Sequence, residues 1–394
     1  MSLAEKVIGI CRELALCTEE PGRTTRTFLS PPMRDVHRIL TDWMSDLGMQ
    51  VSVDAAGNLH GLHGSPDAPR LMIASHLDTV PGAGAFDGIL GVVLGIALCE
   101  SHPKLAIEVA GFSEEEGVRF GMPFIGSRAL VGTLDAAALA KYDRDGISVE
   151  QAIRNYGLDP GQILNAKLSP RVFAYLEFHI EQGPVLDQAG VPLAVVDSIV
   201  GQSRFSLTFK GHANHAGTTP MHLRRDALAA AAEWILDVEA TGNLESGLVA
   251  TVGALTVLPN AGNVIPGQVR ASLDVRHASD EIRLQSVERL LRSAASIAVL
   301  RDSFVEHAEL LNQSTIAMDP DLCKTLSGYA PFHMSSGAGH DAMILAPHVP
   351  SAMLFLRSPG GISHHPDEAV RTEDVAAALE VGQQFIHELE RQHA

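Results

Sequence analysis

The sequence predicts an α/β protein: a mainly parallel sheet covered by helices, interrupted by a smaller inserted α+β domain of ferredoxin-like order. Three observations carry that reading. Apolar runs of strand length alternate with helical segments through the first half, the pattern of strands buried on both faces. Near Arg204 the pattern switches to strict apolar–polar alternation, the mark of strands with one solvated face. After Pro320 the α/β alternation returns. At 394 residues the chain is long enough for two domains. The expected division is a discontinuous domain over 1–203 and 319–394, with 204–318 inserted.

Each element follows from local chemistry. "MSLAEKVIGICRELALC" mixes charges into an apolar helical repeat, so the chain should open on an amphipathic helix and not on a signal peptide. "LMIAS" (Leu71–Ser75) reads as a buried strand. A helix should run from about Gly88 to Glu100, and its apolar run Ile89–Cys99 is too short to cross a bilayer. "AIEVAGF" (Ala106–Phe112), "VFAYLEFHI" (Val172–Ile180) and "PLAVVDSIV" (Pro192–Val200) continue the strands. In the insertion, "RFSLTFKGHA" alternates as a half-exposed strand, followed by a helix from about Arg224 to Glu239. The strands "LVATVGALTVL" and "QVRASLDVRH", a helix from about Ser279 to Leu300 and the strand "FVEHAELL" complete a β-α-β-β-α-β order. "SAMLFLRS" (Ser351–Ser358) and a helix from Glu373 to Gln392 close the main domain.

Composition narrows the partners. Lys and Arg number 29 against 47 Asp and Glu, a formal charge of −18, which argues against nucleic acid and anionic membranes. A local Arg can still hold a small anion within a cleft. The four cysteines, Cys11, Cys17, Cys99 and Cys323, lack paired spacing and sit among apolar residues, so a reduced, cytoplasmic setting is expected.

Metal-type ligands recur in loops after predicted strands. They are His76, Asp78 and Asp87; Glu114, Glu115 and Glu116; His179, Glu181 and Gln182; His212 and His215; and His364 and His365. Singly, each has a bland explanation: a core histidine, a solvated helix start or a turn. Loops at the carboxyl ends of sheet strands, however, converge on one edge. Imidazoles and carboxylates gathered there suit Zn²⁺, Mn²⁺, Co²⁺ or Ni²⁺. Two such ions roughly 3.5–4 Å apart, sharing a carboxylate, activate a water and polarise a carbonyl.

Taken together, "SHLDTVPGAGAFDGILGV", "EEEGVRF", "HIEQGPVLD", "HAGTTPM..R.DA", "NVIPG", "SGAGHDA" and "GGISHHPDE" resemble the hydantoinase/carbamoylase-type amidases. That group holds N-carbamoyl-L-amino-acid hydrolases, β-ureidopropionases and allantoate amidohydrolases, within the wider two-metal peptidase and deacylase family. The likeness runs in order from about residue 58 to residue 368. It implies a zinc-peptidase-like catalytic domain carrying two divalent ions, Zn²⁺ or Mn²⁺, with Co²⁺ or Ni²⁺ as alternatives.

The resemblance also implies roles. His76 and His364 would hold different ions bridged by Asp87, with Glu116 completing one site and His179 the other. Glu115 would be the general base and Asp78 would orient His76. His215 would donate to the oxyanion when an inserted lid closes. Gln182, Asn263, Arg276 and Gly339, with His340 nearby, would contact substrate, Arg276 pairing with its carboxylate. In the family this His and Arg reach the site across a dimer interface, so a homodimer through 204–318 is expected.

Three features depart from the family pattern: Met343 where many members carry a polar residue, His365 beside His364, and "FLSPPM" (Phe28–Met33). The motif favours His364 over His365 as the ligand. The expected activity is hydrolysis of a linear ureido C–N bond in a small carboxylate, allantoate or an N-carbamoyl-L-amino acid, and the polar set Gln182, Asn263, Arg276 and His340 leans towards allantoate. An aminoacylase or dipeptidase is the alternative enzyme, against which the form of "HIEQGP" argues. A non-catalytic metal-binding module is the third reading, against which Glu115 and the full ligand set argue.

Overall fold

A computed structural model describes residues 1–393. The chain divides into two compact units, Met1–Asp197 with Ala317–Ala394, and Ser198–Ile316. The first boundary precedes the change of pattern at Arg204 because the strand begins at Gly201, where Gly201 and Ser203 occupy buried positions without being apolar.

Along the chain the strands are Gln50–Val53 (β1), Leu59–His63 (β2), Arg70–His76 (β3), Ala106–Phe112 (β4), Val172–Ile180 (β5) and Leu193–Ile199 (β6). The inserted unit carries Gly201–Lys210 (β7), Val249–Thr251 (β8), Leu255–Leu258 (β9), Gln268–His277 (β10) and Phe304–Gln313 (β11). Ile316–Ala317 (β12), His333–Ser336 (β13) and Ser351–Leu356 (β14) follow.

The sheet of the first unit runs β1-β2-β4-β3-β5-β14-β6. Its centre, β4-β3-β5-β14, is parallel, and antiparallel pairs β1–β2, β2–β4 and β14–β6 flank it. Strands β3, β4 and β14 are buried along their whole length, which explains why they read as apolar runs without alternation. The helix Ile89–Cys99 is buried on every side, between the sheet and the helices Leu3–Ala15 and Thr372–His393. Its approach to the sheet is possible because residue 91 is glycine: a Cβ there would lie 2.2 Å from the Phe178 carbonyl oxygen and 2.9 Å from Ser75 Cβ. That contact seats the helix beneath the ends of β3 and β5.

The inserted unit is an antiparallel sheet, β11-β7-β10-β8, with β9 also paired to β10. Where the sequence predicts one strand over "LVATVGALTVL", the structure has two. Both pair with β10, and the break lies opposite Ser272, whose N–H donates to Ala254 O at 3.0 Å while its hydroxyl, in place of a ladder carbonyl, accepts from Ala254 N at 2.9 Å. Helices Ala227–Leu244 and Asp280–Leu300 cover one face, burying Phe209, Trp234, Val269 and Leu290. Among the described residues, no helix is long and apolar enough to cross a membrane. All four cysteines are free.

One charged cluster lies within the β2–β4 pair. His60 Nδ1 meets Glu108 Oε1 at 3.0 Å and its Nε2 meets Asp54 Oδ2 at 3.3 Å. Arg70 Nε lies 2.8 Å from Glu108 Oε2, an ion pair without hydrogen-bond geometry. Burial opposes a charge on His60, but the bonds to Asp54 and Glu108 outweigh it and raise the imidazole to about 9 from 6.5.

Two outcomes follow from this packing. Gly91→Ala forces a methyl into the Phe178 carbonyl and should cost ~1–3 kcal/mol, read as a fall of several degrees in the thermal midpoint. Because the folded pKa of His60 exceeds the unfolded one, its stabilisation, on the order of 2–3 kcal/mol, is complete below about pH 6.5 and fades as pH rises through about 9. The gap in urea midpoint between the native chain and His60→Leu should therefore close between pH 6 and pH 10; a constant gap contradicts the assignment.

Candidate metal centre

The parallel strands deliver their carboxyl ends to one edge. His76 ends β3, and the glutamates 114–116 follow β4. His179 is the penultimate residue of β5, and His364 lies in the loop beyond β14. Asp87 closes the glycine-rich loop after β3, and Gly88 beside it has φ +68°. Any Cβ at Gly88 would sit 2.4 Å from the His76 ring, so only glycine lets the loop fold back against that imidazole.

The donor atoms then converge. His76, Asp87 and His179 present one ligand atom each within 4.8 Å of one another, and so do Asp87, Glu116 and His364. His76, Glu115 and Glu116 form a third such group. His364 Nε2 lies 3.1 Å from Asp87 Oδ2 and 3.6 Å from Glu116 Oε1. Its neighbour His365 is exposed and faces Asp367 instead.

The hydrogen bonds fix which atoms are free. His76 Nδ1 donates to the Asp78 carbonyl at 3.1 Å, and His179 Nδ1 to the Ile180 carbonyl at 2.9 Å. Each Nδ1 therefore carries a proton, and Nε2 is the atom each ring can offer to a metal. Those two atoms face each other at 3.4 Å, with Asp87 Oδ1 3.3 Å from His179 Nε2. Acceptors crowded at one buried point call for a positive charge among them, a proton on His76 or a cation. Gln182 supplies the same signal beside His364: its Nε2 donates to both Asp87 oxygens at 3.0 and 3.1 Å, while its Oε1 is buried without a partner. The imidazole and carboxylate donor set fits two divalent ions that share Asp87.

Electrostatics agree with that fit. Burial would raise the Asp87 carboxyl, but the His364 hydrogen bond and the imidazoles of His179 and His76 hold it below the ordinary carboxylate range. Burial pushes Glu115 well above its usual value; His76 opposes this, and Glu116, Asp341 and Asp78 reinforce it. Burial likewise takes Glu116 to about 7. His179 is held down to about 4, first by burial. Burial would lower His76 too, but Asp78, Glu115 and Asp87 lift it well above 6.5. Carboxylates crowded this closely favour cations as neighbours.

Further residues brace the site; of these Asn58, Arg26 and Glu177 were not flagged by the spacing of ligand types. The Asp78 carboxylate accepts mainly from the amides of Glu115 and Glu116, at 2.9 and 3.2 Å, with His76 Nδ1 at 3.4 Å. It ties the β3 loop to the β4 loop as well as facing His76. Asn58 accepts from Ser113 N at 3.1 Å. Arg26, fully buried, donates to Leu77 O at 2.7 Å from behind. Glu177 sits beneath the site and accepts from Ser75, Tyr175 and the Ala342 amide. His340 is buried, with its ring centroid 4.4 Å from that of His179 and its Nε2 2.9 Å from Ser336 Oγ. Gly339 beside it is exposed.

In the inserted unit, His215 and Asn263 lie on adjoining loops, joined by the bond from Ala216 N to Asn263 O at 2.9 Å. His215 is exposed, and its Nδ1 accepts from Gly217 N at 3.0 Å, so the proton is on Nε2, free to donate. Arg224, quoted in the same motif, clamps the loop by donating to the carbonyls of Ala216 and Thr219 at 2.5 and 3.0 Å. Arg276 lies along β10, its guanidinium against Asp274 at 2.9 and 3.0 Å.

Comparison with known proteins adds the family. Residues 72–388 match Peptidase family M20/M25/M40. The N-carbamoyl-L-amino acid amidohydrolase of Geobacillus stearothermophilus is 40% identical over 389 residues, covering 94% of each chain. Allantoate deiminase 1 of Glycine max is 36% identical, covering 95% of this chain and 87% of that one. Among solved structures, an amidase of the hydantoinase/carbamoylase family from Burkholderia multivorans superposes with a TM-score of 0.90 at 30% identity, covering 97% of each chain.

If the donor sets hold cations, Zn²⁺ at about 100 times its Kd should stabilise chelator-treated protein by about 2.7 kcal/mol per site. Asp87→Ala, which removes the shared donor, should abolish that rise in thermal midpoint; an undiminished rise would place the ions elsewhere.

Proposed function

The chain belongs to Peptidase family M20/M25/M40, and on that premise we propose that it is a metal-dependent amidohydrolase cleaving the ureido C–N bond of a small carboxylate. The candidate substrates are allantoate and N-carbamoyl-L-amino acids, the compounds named for its relatives. The observation that carries the reading is the convergence of His76 Nε2, His179 Nε2 and Asp87 Oδ1 at one buried point, with both Nδ1 atoms turned away to backbone carbonyls.

His76, Asp87 and His179 would hold one ion, and Asp87, Glu116 and His364 the other, Zn²⁺ or Mn²⁺. Bound there, the ions supply Lewis acidity and a lowered water pKa. The remaining steps belong to side chains. Glu115 takes a proton from the attacking water on its carboxylate and passes it to the leaving nitrogen, a role its raised proton affinity supports. As water adds to the carbonyl, His215 stabilises the oxyanion that forms through Nε2–H, which its bond from Gly217 leaves available, and collapse of that oxyanion expels the nitrogen that Glu115 protonates. Arg276 pairs with the substrate carboxylate, exchanging Asp274 for it, while Gln182, Asn263, Gly339 and His340 shape the remaining contacts. Asp78 keeps Glu115, Glu116 and His76 in register.

The inserted unit acts as lid and dimer interface. Its exposed apolar side chains, among them Leu236, Val249, Leu255, Leu258 and Leu310, support a homodimer. Free cysteines support a reducing, cytoplasmic setting.

Ammonia release from allantoate and from a panel of N-carbamoyl-L-amino acids, with Mn²⁺ or Zn²⁺ added, tests the activity. Turnover of at least one ureido acid is expected, faster than that of any dipeptide. Glu115→Gln should lower kcat by at least 10²-fold with metal content unchanged. Dipeptides outpacing every ureido acid would contradict the bond assignment, and full activity in Glu115→Gln would contradict the base.

A further inference from the structure

We propose that Glu368 is a positioning residue for the second cation site, the one formed by Asp87, Glu116 and His364, and the proposal rests on the two-cation reading above. Glu368 is 5% exposed and lies at the end of "SHHPDE". Its Oε1 accepts from two consecutive amides of the other loop, Phe86 N at 2.9 Å and Asp87 N at 3.1 Å. Its Oε2 accepts from Ser363 Oγ at 3.2 Å, the residue next to His364. One carboxylate thus ties the backbone of the shared aspartate to the loop of a histidine more than 270 residues away in sequence. The facing loop is shaped to receive it: a Cβ on Gly84 would stand 2.3 Å from Glu368 Cβ and 2.5 Å from its Oε1.

The two donor sets differ in what holds them. His76 and His179 stand at the ends of β3 and β5, strands that pair as far as Ile73 and Leu176, so two of the first set's three donors are carried by the sheet. His364 is exposed, sits in a loop and has φ +56°, a conformation costly for a non-glycine residue. Glu116 also lies beyond its strand. The second set therefore depends on loop-to-loop bonds, and Glu368 makes those between Asp87 and the His364 loop. Its loss should weaken the second ion far more than the first, which keeps two strand-borne histidines, whereas a general structural role would weaken both alike.

Equilibrium dialysis of the full chain against Zn²⁺, with metal counted by inductively coupled plasma mass spectrometry, tests this. The native chain should hold about two ions. Glu368→Ala should keep the tighter ion and bind the other about 10–100-fold more weakly. Glu368→Gln, which retains an acceptor for both amides, should keep both. Equal affinity for both ions in native chain and Glu368→Ala overturns the proposal and leaves the two-cation reading intact. Equal weakening of both sites also overturns it. If circular dichroism shows Glu368→Ala unfolded, Ser363→Ala decides: weakening of the second ion alone supports the clamp, and unchanged binding overturns it. A native chain that never takes more than one ion overturns the two-cation reading and this proposal together.

Discussion

Imidazole nitrogens and a carboxylate that converge in a buried place must be met by positive charge, and this constraint organises the first unit. Two backbone carbonyls, those of Asp78 and Ile180, capture the Nδ1 protons of His76 and His179. With Nδ1 of each ring engaged there, the two Nε2 atoms are left facing each other and the Asp87 carboxylate. The fold supplies the rigidity to hold them so: β3 and β5 are neighbours in a fully buried parallel sheet, and the helix Ile89–Cys99 presses against their ends at a residue with no side chain.

The rest of the site is a set of buried carboxylates used as struts. Asp78 grips two amides of the glutamate loop, Glu368 grips two amides of the aspartate loop, and Glu177 joins β3, β5 and the amide of Ala342. Each satisfies backbone donors that loops at a sheet edge would otherwise leave unpaired. Their cost is mutual repulsion and lost hydration, visible in the raised proton affinities of Glu115, Glu116 and Glu368. On the proposed reading two cations offset that cost, so the negative charge that positions the loops also favours the ions.

Much of this was legible in the sequence, for reasons that can be located. β4 and β5 were readable to the residue because strands buried on both faces are mostly apolar, broken only by Glu108 in the one and by Glu177 and His179 in the other. The donor residues were legible because His76 and His179 close such runs and Asp87, Glu116 and His364 stand in the loops beyond them. What stayed hidden depends on single atoms. The split between β8 and β9 turns on the hydroxyl of Ser272, which no periodicity marks. Arg26, Asn58 and Glu177 serve the site from behind, and their sequence neighbours give no sign of the loops they reach. Arg224 and Glu368 stood inside quoted motifs, but a one-dimensional pattern does not reveal whether a charged residue faces ligand or holds a loop.

The central claim is that Asp87 is shared by two cations. Crystals of the full chain grown with Mn²⁺ and measured near the manganese absorption edge would test it most directly. The account predicts two anomalous peaks, one touching Asp87, His76 and His179, the other touching Asp87, Glu116 and His364. A single peak, or peaks that leave Asp87 uncoordinated, would contradict it.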